Sequence, residues 1–114
     1  MRKLENLISG YNVVEYEEVD STMITLKELA ISGCDINTAV WAKKQRIGRG
    51  RHGREWSSPE GNLYLSFLRN SENNKSKNIF APVFIVAIVI AHSIKDLSCS
   101  KIVPNMKWPN DILI

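Results

Sequence analysis

Between Lys43 and Trp56 the chain runs KKQRIGRGRHGREW. Six of these residues are Lys or Arg, three are Gly, and the first acid is Glu55. Glycine leaves backbone amides uncovered and admits tight turns, so such a loop can wrap the oxygens of an anion. Arginine adds a planar, permanently charged fork that grips phosphate or carboxylate with two donors at once. The spacing Gly48-x-Gly50-x-x-Gly53 nearly reproduces a dinucleotide fingerprint, but that loop opens directly into a helix. Here a turn and a strand follow instead. No Gly-Lys-Ser/Thr is present, which excludes a P-loop. Composition alone leaves three readings open: a phosphate cradle, a solvated basic loop, and an arginine–glycine segment that binds RNA.

The distribution of charge narrows them. The net charge is +3, yet Lys43, Lys44, Arg46, Arg49, Arg51 and Arg54 hold six of the fifteen basic groups with no acid among them. The rest of the chain carries nine basic and twelve acidic residues, a balance of −3. This predicts one local anion site on a mildly acidic protein, not an extended polyanion-binding surface.

The elements that must hold this loop are legible on either side. Val13 to Glu17 predicts a strand. Asp20-Ser21-Thr22 predicts a helix start at any of the three, with Thr25-x-x-Glu28 matching a capping box one turn on. Leu26, Leu29 and Ala30 supply the helix with an apolar face, and Gly33 stops it. Thr38 to Lys43 predicts the strand that feeds the loop. After the loop, Ser58 to Asn62 is a turn signal, and alternation from Leu63 to Leu68 predicts a strand. Residues 70–78 are polar and predict a mobile loop. From Ile79 to Leu97, Val83, Val86, Ile90, Ile94 and Leu97 recur at helical spacing and predict a helix buried on most sides. Val103 to Trp108 and Asp111 to Ile114 predict two more strands, with Trp108 held extended by Pro109.

The 114 residues fit one domain, 1–114, of α+β class: a mixed β-sheet flanked by helices. The last apolar run has no turn or polar tail, which predicts a domain cut short in mid-element. The longest apolar stretch, Phe80 to Ala91, is too short to span a membrane, where about 20 residues are needed. With no signal-peptide pattern, a cytoplasmic protein with Cys34 and Cys99 as free thiols is expected. His52 and His92 form no metal-binding cluster.

Taken together, GRGRHGREWSSPEGNLYLS (48–66) and KWPND (107–111), with Val19-Asp20-Ser21-Thr22 and Gln45 before them, resemble the biotin protein ligase family. The resemblance runs from about Val13 to the last residue and implies the N-terminal half of the biotin/lipoate ligase catalytic fold. No N-terminal winged-helix domain and no C-terminal small domain are expected. The resemblance implies that Ser21 and Thr22 lie near the ureido ring of biotin and Gln45 near its bicyclic head. It makes Gly48, Arg49, Gly50 and Arg51 the loop over biotin and its adenylate, with Arg51 on the phosphate or carboxylate. Arg54 and Trp56 fall on the distal part of that loop. Lys107 matches a position near the ATP phosphates, and Asn110 and Asp111 one near Mg²⁺.

The implied reaction joins biotin to ATP as biotinyl-5′-AMP, then transfers biotin to a lysine of a carboxylase carrier protein or domain. Bringing an anionic nucleophile to a phosphate calls for cations more than for an acid–base pair. That accords with a site rich in arginine and lacking a Ser-His-Asp set. Two departures stand out. Met23 replaces the family's usual Asn after Ser21-Thr22, and the chain ends before a strand lysine that the family carries. The expectation is a chain inactive alone, with a non-catalytic biotin- or nucleotide-binding fragment as the alternative. The sheet edge near 110–114 predicts a homo-oligomer, and neither DNA nor membrane binding is expected.

Overall fold

The computed structural model describes residues 2–8, 10–70 and 81–114. The chain divides between Ser71 and Glu72 into two compact units.

The first unit is a four-stranded mixed sheet in the order β1-β2-β3-β4, formed by β1 (Arg2–Ile8), β2 (Tyr11–Val19), β3 (Thr38–Gln45) and β4 (Tyr64–Phe67). Strands β1 and β2 form an antiparallel pair, and β4 runs antiparallel to β3. Between them β2 and β3 are parallel, joined through helix α1 (Thr22–Ile31). The two inner strands are rich in Val and Ala, which suits a sheet centre closed on both sides. Val13, Val14, Val19, Ala39, Val40 and Ala42 are buried there, with Leu26 of α1 packed beside them. Strand β1 was not foreseen from the sequence, and β2 is longer than expected at both ends.

Two local expectations are corrected. Helix α1 takes Ser21 as its N-cap, in extended geometry, and Thr25 N–H already donates to Ser21 O at 3.0 Å. Thr25 and Glu28 therefore lie inside the helix and form no capping box. The reason is tertiary. Arg46 N and Ile47 N donate to Val19 O and Asp20 O at 2.9 and 2.8 Å, holding the chain extended up to the residue before Ser21. The second correction concerns β4, which is shorter than the alternation suggested. Its buried residue is Ser66, while Leu63, Leu65 and Phe67 are exposed. At its C-terminus α1 ends as the sequence implied. Gly33 adopts φ +88°, and Gly33 N and Cys34 N donate back to Ala30 O and Leu29 O at 3.1 and 3.0 Å.

The second unit holds helix α2 (Ala81–Leu97) and an antiparallel hairpin of β5 (Asn105–Lys107) and β6 (Asp111–Leu113). The first of these strands is shorter than expected. Trp108, Pro109 and Asn110 form the turn, with a cis peptide before Pro109. The Phe84 and Trp108 rings meet at 4.0 Å between centroids. Among the described residues of α2 only Ala87 is buried, against the expectation of a helix buried on most sides. Apolar composition gives what a helix can bury; the elements around it decide what it does bury. Apart from Asn70, the polar segment 70–78 lies outside the described residues, as do Ile79 and Phe80.

Candidate functional site

Where the C-terminal end of β3 meets the start of α1, the first unit builds a polar wall. Gln45, the last residue of β3, accepts the Thr22 backbone N–H on Oε1 at 2.8 Å. Its Nε2 donates to Ser58 Oγ at 3.1 Å, and Ser58 Oγ donates to Trp56 O at 3.1 Å. Thr22 Oγ1 and Ser66 Oγ are 2.8 Å apart. Thr22, Ser58 and Ser66 are all buried, and such groups keep their place only when hydrogen-bonded. Ser21 differs: it is 8 % exposed, yet its hydroxyl makes no cap bond and has no partner among the described residues. So neither hydroxyl of the Ser21-Thr22 pair is spent on capping the helix.

The glycine–arginine loop leaves from this wall and returns to it. Backbone bonds cross it in three places: Gln45 N to Ser58 O at 3.0 Å, Trp56 N to Gly48 O at 2.8 Å, and Gly50 N to Arg54 O at 2.7 Å. A single 3-10 turn, Arg51–Gly53, forms the tip, with His52 and Gly53 at φ 58° and 73°. The amides of Gly50, Arg54 and Trp56 are thus spent within the loop, and an anion meets its side chains more than its backbone. Gly48 is required by contact: a Cβ there would run into Ser58 Oγ and Trp56 O. At Gly50 an added methyl lies 3.7 Å from the Trp56 ring, an ordinary contact. Trp56 itself is largely exposed, its ring against Gly50.

The basic stretch splits into two electrostatic classes. Lys43 Nζ meets Glu17 at 2.7 Å and Lys44 Nζ meets Glu18 at 3.6 Å. Arg46 reaches Asp20 at 2.7 Å and Glu18 at 3.4 Å. The hydrogen bond and charge of Glu17 hold Lys43 above the ordinary lysine value, and those of Asp20 raise Arg46 likewise. Among the described residues Arg49, Arg51 and Arg54 have no acidic partner, and all three are exposed. The block of six unopposed cations expected from sequence is therefore a block of three.

In the second unit, Lys107 and Asp111 face each other across the β5–β6 register, with Asn110 in the turn between. All three are exposed, while Pro109 is buried and Trp108 stacks on Phe84. Pro109 and Trp108 therefore shape the turn. Among the described residues no three His, Cys, Asp or Glu gather into a metal cage. One carboxylate and one amide do fit Mg²⁺ that arrives on a nucleotide, since that ion is commonly held by one or two carboxylates, water and substrate phosphates.

The structure thus brings Ser21, Thr22, Gln45 and the loop from Gly48 to Trp56 together in one unit, and Lys107, Asn110 and Asp111 together in the other. Sequence reasoning missed Ser58 and Ser66. No sequence sign marked Ser66, because the apolar phase of its strand is Leu63, Leu65 and Phe67, and it is the opposite phase that is buried at Ser66.

Comparison with known proteins shows the family. The family model described as "Biotin/lipoate A/B protein ligase family" matches residues 16–114. The bifunctional ligase/repressor BirA of Bacillus subtilis is 32% identical over 112 residues, covering 97% of this chain and 34% of the relative. The biotin–[acetyl-CoA-carboxylase] ligase of Paracoccus denitrificans is 32% identical over 83% of this chain and 39% of its own length. The structure of the Aquifex aeolicus biotin protein ligase in complex with biotin and ATP superposes with a TM-score of 0.76 at 34% identity, over 90% of this chain and 41% of that one. The chain spans about a third of the length of the BirA relatives it matches. On the family match and these relatives, the chain belongs to the biotin/lipoate A/B protein ligase family.

Proposed function

We propose that this chain supplies the biotin- and adenylate-binding part of an ATP-dependent biotin–protein ligase. The observation that carries the reading is the division of charge along residues 43–54. Acids on and just after β2 pair the cations at the end of β3, and three loop arginines beside the polar wall are left for an anion. Ser21, Thr22 and Gln45 take the polar head of biotin. The loop from Gly48 to Arg51 lies over the ligand, with Arg54 and Trp56 at its far side. Arg51 neutralises charge where the carboxylate meets the phosphate.

In the first step a biotin carboxylate oxygen bonds to the α-phosphorus of ATP. The bond to the β-phosphate oxygen breaks, and pyrophosphate leaves. In the second, the neutral amine of a carrier lysine attacks the acyl carbon, the bond to the AMP oxygen breaks, and the nitrogen loses a proton. Lys107 steadies the phosphates, and Asn110 with Asp111 holds the Mg²⁺ that ATP brings. When bound, that ion offsets phosphate charge. The acceptor is a biotin carboxyl carrier protein or domain.

Among the described residues no helix is long and apolar enough to cross a membrane; a cytoplasmic location is proposed on the family resemblance. We also propose self-association through the strand edge at 111–113, with no specific DNA binding. This span by itself binds biotin without turning it over.

Calorimetric titration with biotin tests the reading. Saturable binding that survives added salt is expected. Binding to RNA that falls steeply with salt, with no heat from biotin, would overturn it. Pyrophosphate release with biotin and ATP measures turnover directly.

A further inference from the structure

We propose that Ser58 is a positioning residue that fixes which way the Gln45 amide points. The inference rests on the biotin-binding reading of this site but is argued from hydrogen-bond direction. A serine hydroxyl has one proton. In Ser58 it goes to Trp56 O, an acceptor that cannot donate, at 3.1 Å. Ser58 Oγ must then accept from Gln45, so the Gln45 atom 3.1 Å away is the NH₂ nitrogen. At the other end of the amide the Thr22 backbone N–H can only donate, so the atom 2.8 Å away is the carbonyl oxygen. Reversing the amide would set donor against donor at Thr22 and discard the bond to Ser58.

The polarity of the chain is thereby closed. Protons run from Thr22 N to Gln45 Oε1, and from Gln45 Nε2 through Ser58 Oγ to Trp56 O. Gln45 keeps one Nε2 hydrogen and one Oε1 lone pair for a ligand, presented in a fixed sense. Ser58 is buried, and its backbone carbonyl also takes the Gln45 N–H at 3.0 Å, so strand and side chain are held from the same residue. Gly48 makes the approach possible, because any Cβ there would occupy the place of Ser58 Oγ. The same hydroxyl ties the return of the loop at Trp56 to the start of α1 at Thr22.

The test uses the whole chain. In the wild type, the Gln45 side-chain NH₂ resonances should be dispersed and protected from exchange. Resonances at free-amide positions with free-amide exchange would overturn the proposal without any variant. In Ser58→Ala those resonances should collapse toward free-amide positions, and biotin should bind about tenfold more weakly, the expected cost of an orphaned donor. Gln45→Ala with Ser58→Ala should bind no more weakly than Gln45→Ala alone, because Ser58 acts through Gln45. Additive losses, or a Ser58→Ala chain whose only change is a lower unfolding temperature, would overturn it. If the wild type binds no biotin, the functional reading fails, and the Gln45 resonances of the two chains still decide this inference.

Discussion

The two halves of the basic stretch obey different rules. Lys43, Lys44 and Arg46 sit at or just beyond the end of β3, and each meets an acid contributed by β2 or Asp20 just after it. Arg49, Arg51 and Arg54 sit on the loop and meet none among the described residues. The parallel register makes the first set inevitable: it lays Glu18 beside Lys44 and brings Glu17 to the end of Lys43. The second set has been carried past the reach of β2 by the glycines. Charge density in a sequence therefore says little about free charge in a fold. The cations open to an anion are those the sheet cannot reach.

The contrast can be broken most severely at Arg51. Arg51→Glu should weaken binding of biotinyl-5′-AMP by about a hundredfold, on the scale of losing a preorganised cation in a closed site. The unfolding temperature should stay unchanged. Lys43→Gln should do the reverse, leaving ligand affinity intact. Equal losses of affinity in the two variants, by calorimetry, would erase the distinction between the halves.

Gly48 stands where one half gives way to the other. Gly48→Ala should lower stability by about 2 kcal/mol, measured by urea unfolding, because its methyl would displace Ser58 and the Trp56 carbonyl. Gly50→Ala, with ordinary contacts, should cost far less.

The smallest effect belongs to the paired half and disappears in alkali. The folded state raises Lys43 above its unfolded value of about 10.4. The pair with Glu17 therefore contributes fully below that pH and is lost as pH rises through the folded value. Thermal unfolding of the wild type and Glu17→Gln should differ slightly at neutral pH and converge once the pH has risen past the raised, folded value of Lys43. A gap that persists there would show that Glu17 acts by something other than its charge on Lys43. The exposure of the pair keeps the gap small.

Much of this could be seen before the coordinates, for definable reasons. The adjacent apolar residues Val13-Val14 of β2 and Ala39-Val40 of β3 carry their own signal, because neighbouring positions of a strand are both buried only where both faces are covered. Gly33 announces the end of α1, because a left-handed residue is needed there. The second helix closes in the same way, with Cys99 N and Ser100 N donating to Asp96 O and Lys95 O, but puts Cys99 at φ 52°. No residue type in SCS marks that ending. Strand β1 escaped because its pairing with β2, not its own pattern, makes it a strand. The loop motif was legible as chemistry, but half of its charge was not legible as spent. The acids that neutralise it lie more than twenty residues earlier in the chain and approach only through the parallel crossover. Ser58 was equally hidden, since one hydroxyl in a turn looks like any other until its neighbours are known.

The cross-bonds of the glycine–arginine loop bear on the entropy of ligand capture. A loop ordered along its whole length by its ligand would charge that ligand for every residue it fixed, at about 1–2 kcal/mol each. Here Gln45 and Ser58, Gly48 and Trp56, and Gly50 and Arg54 are already joined. The tip itself is a 3-10 turn with the Arg54 N–H on Arg51 O, so the cost of capture falls on the exposed arginine side chains more than on the backbone.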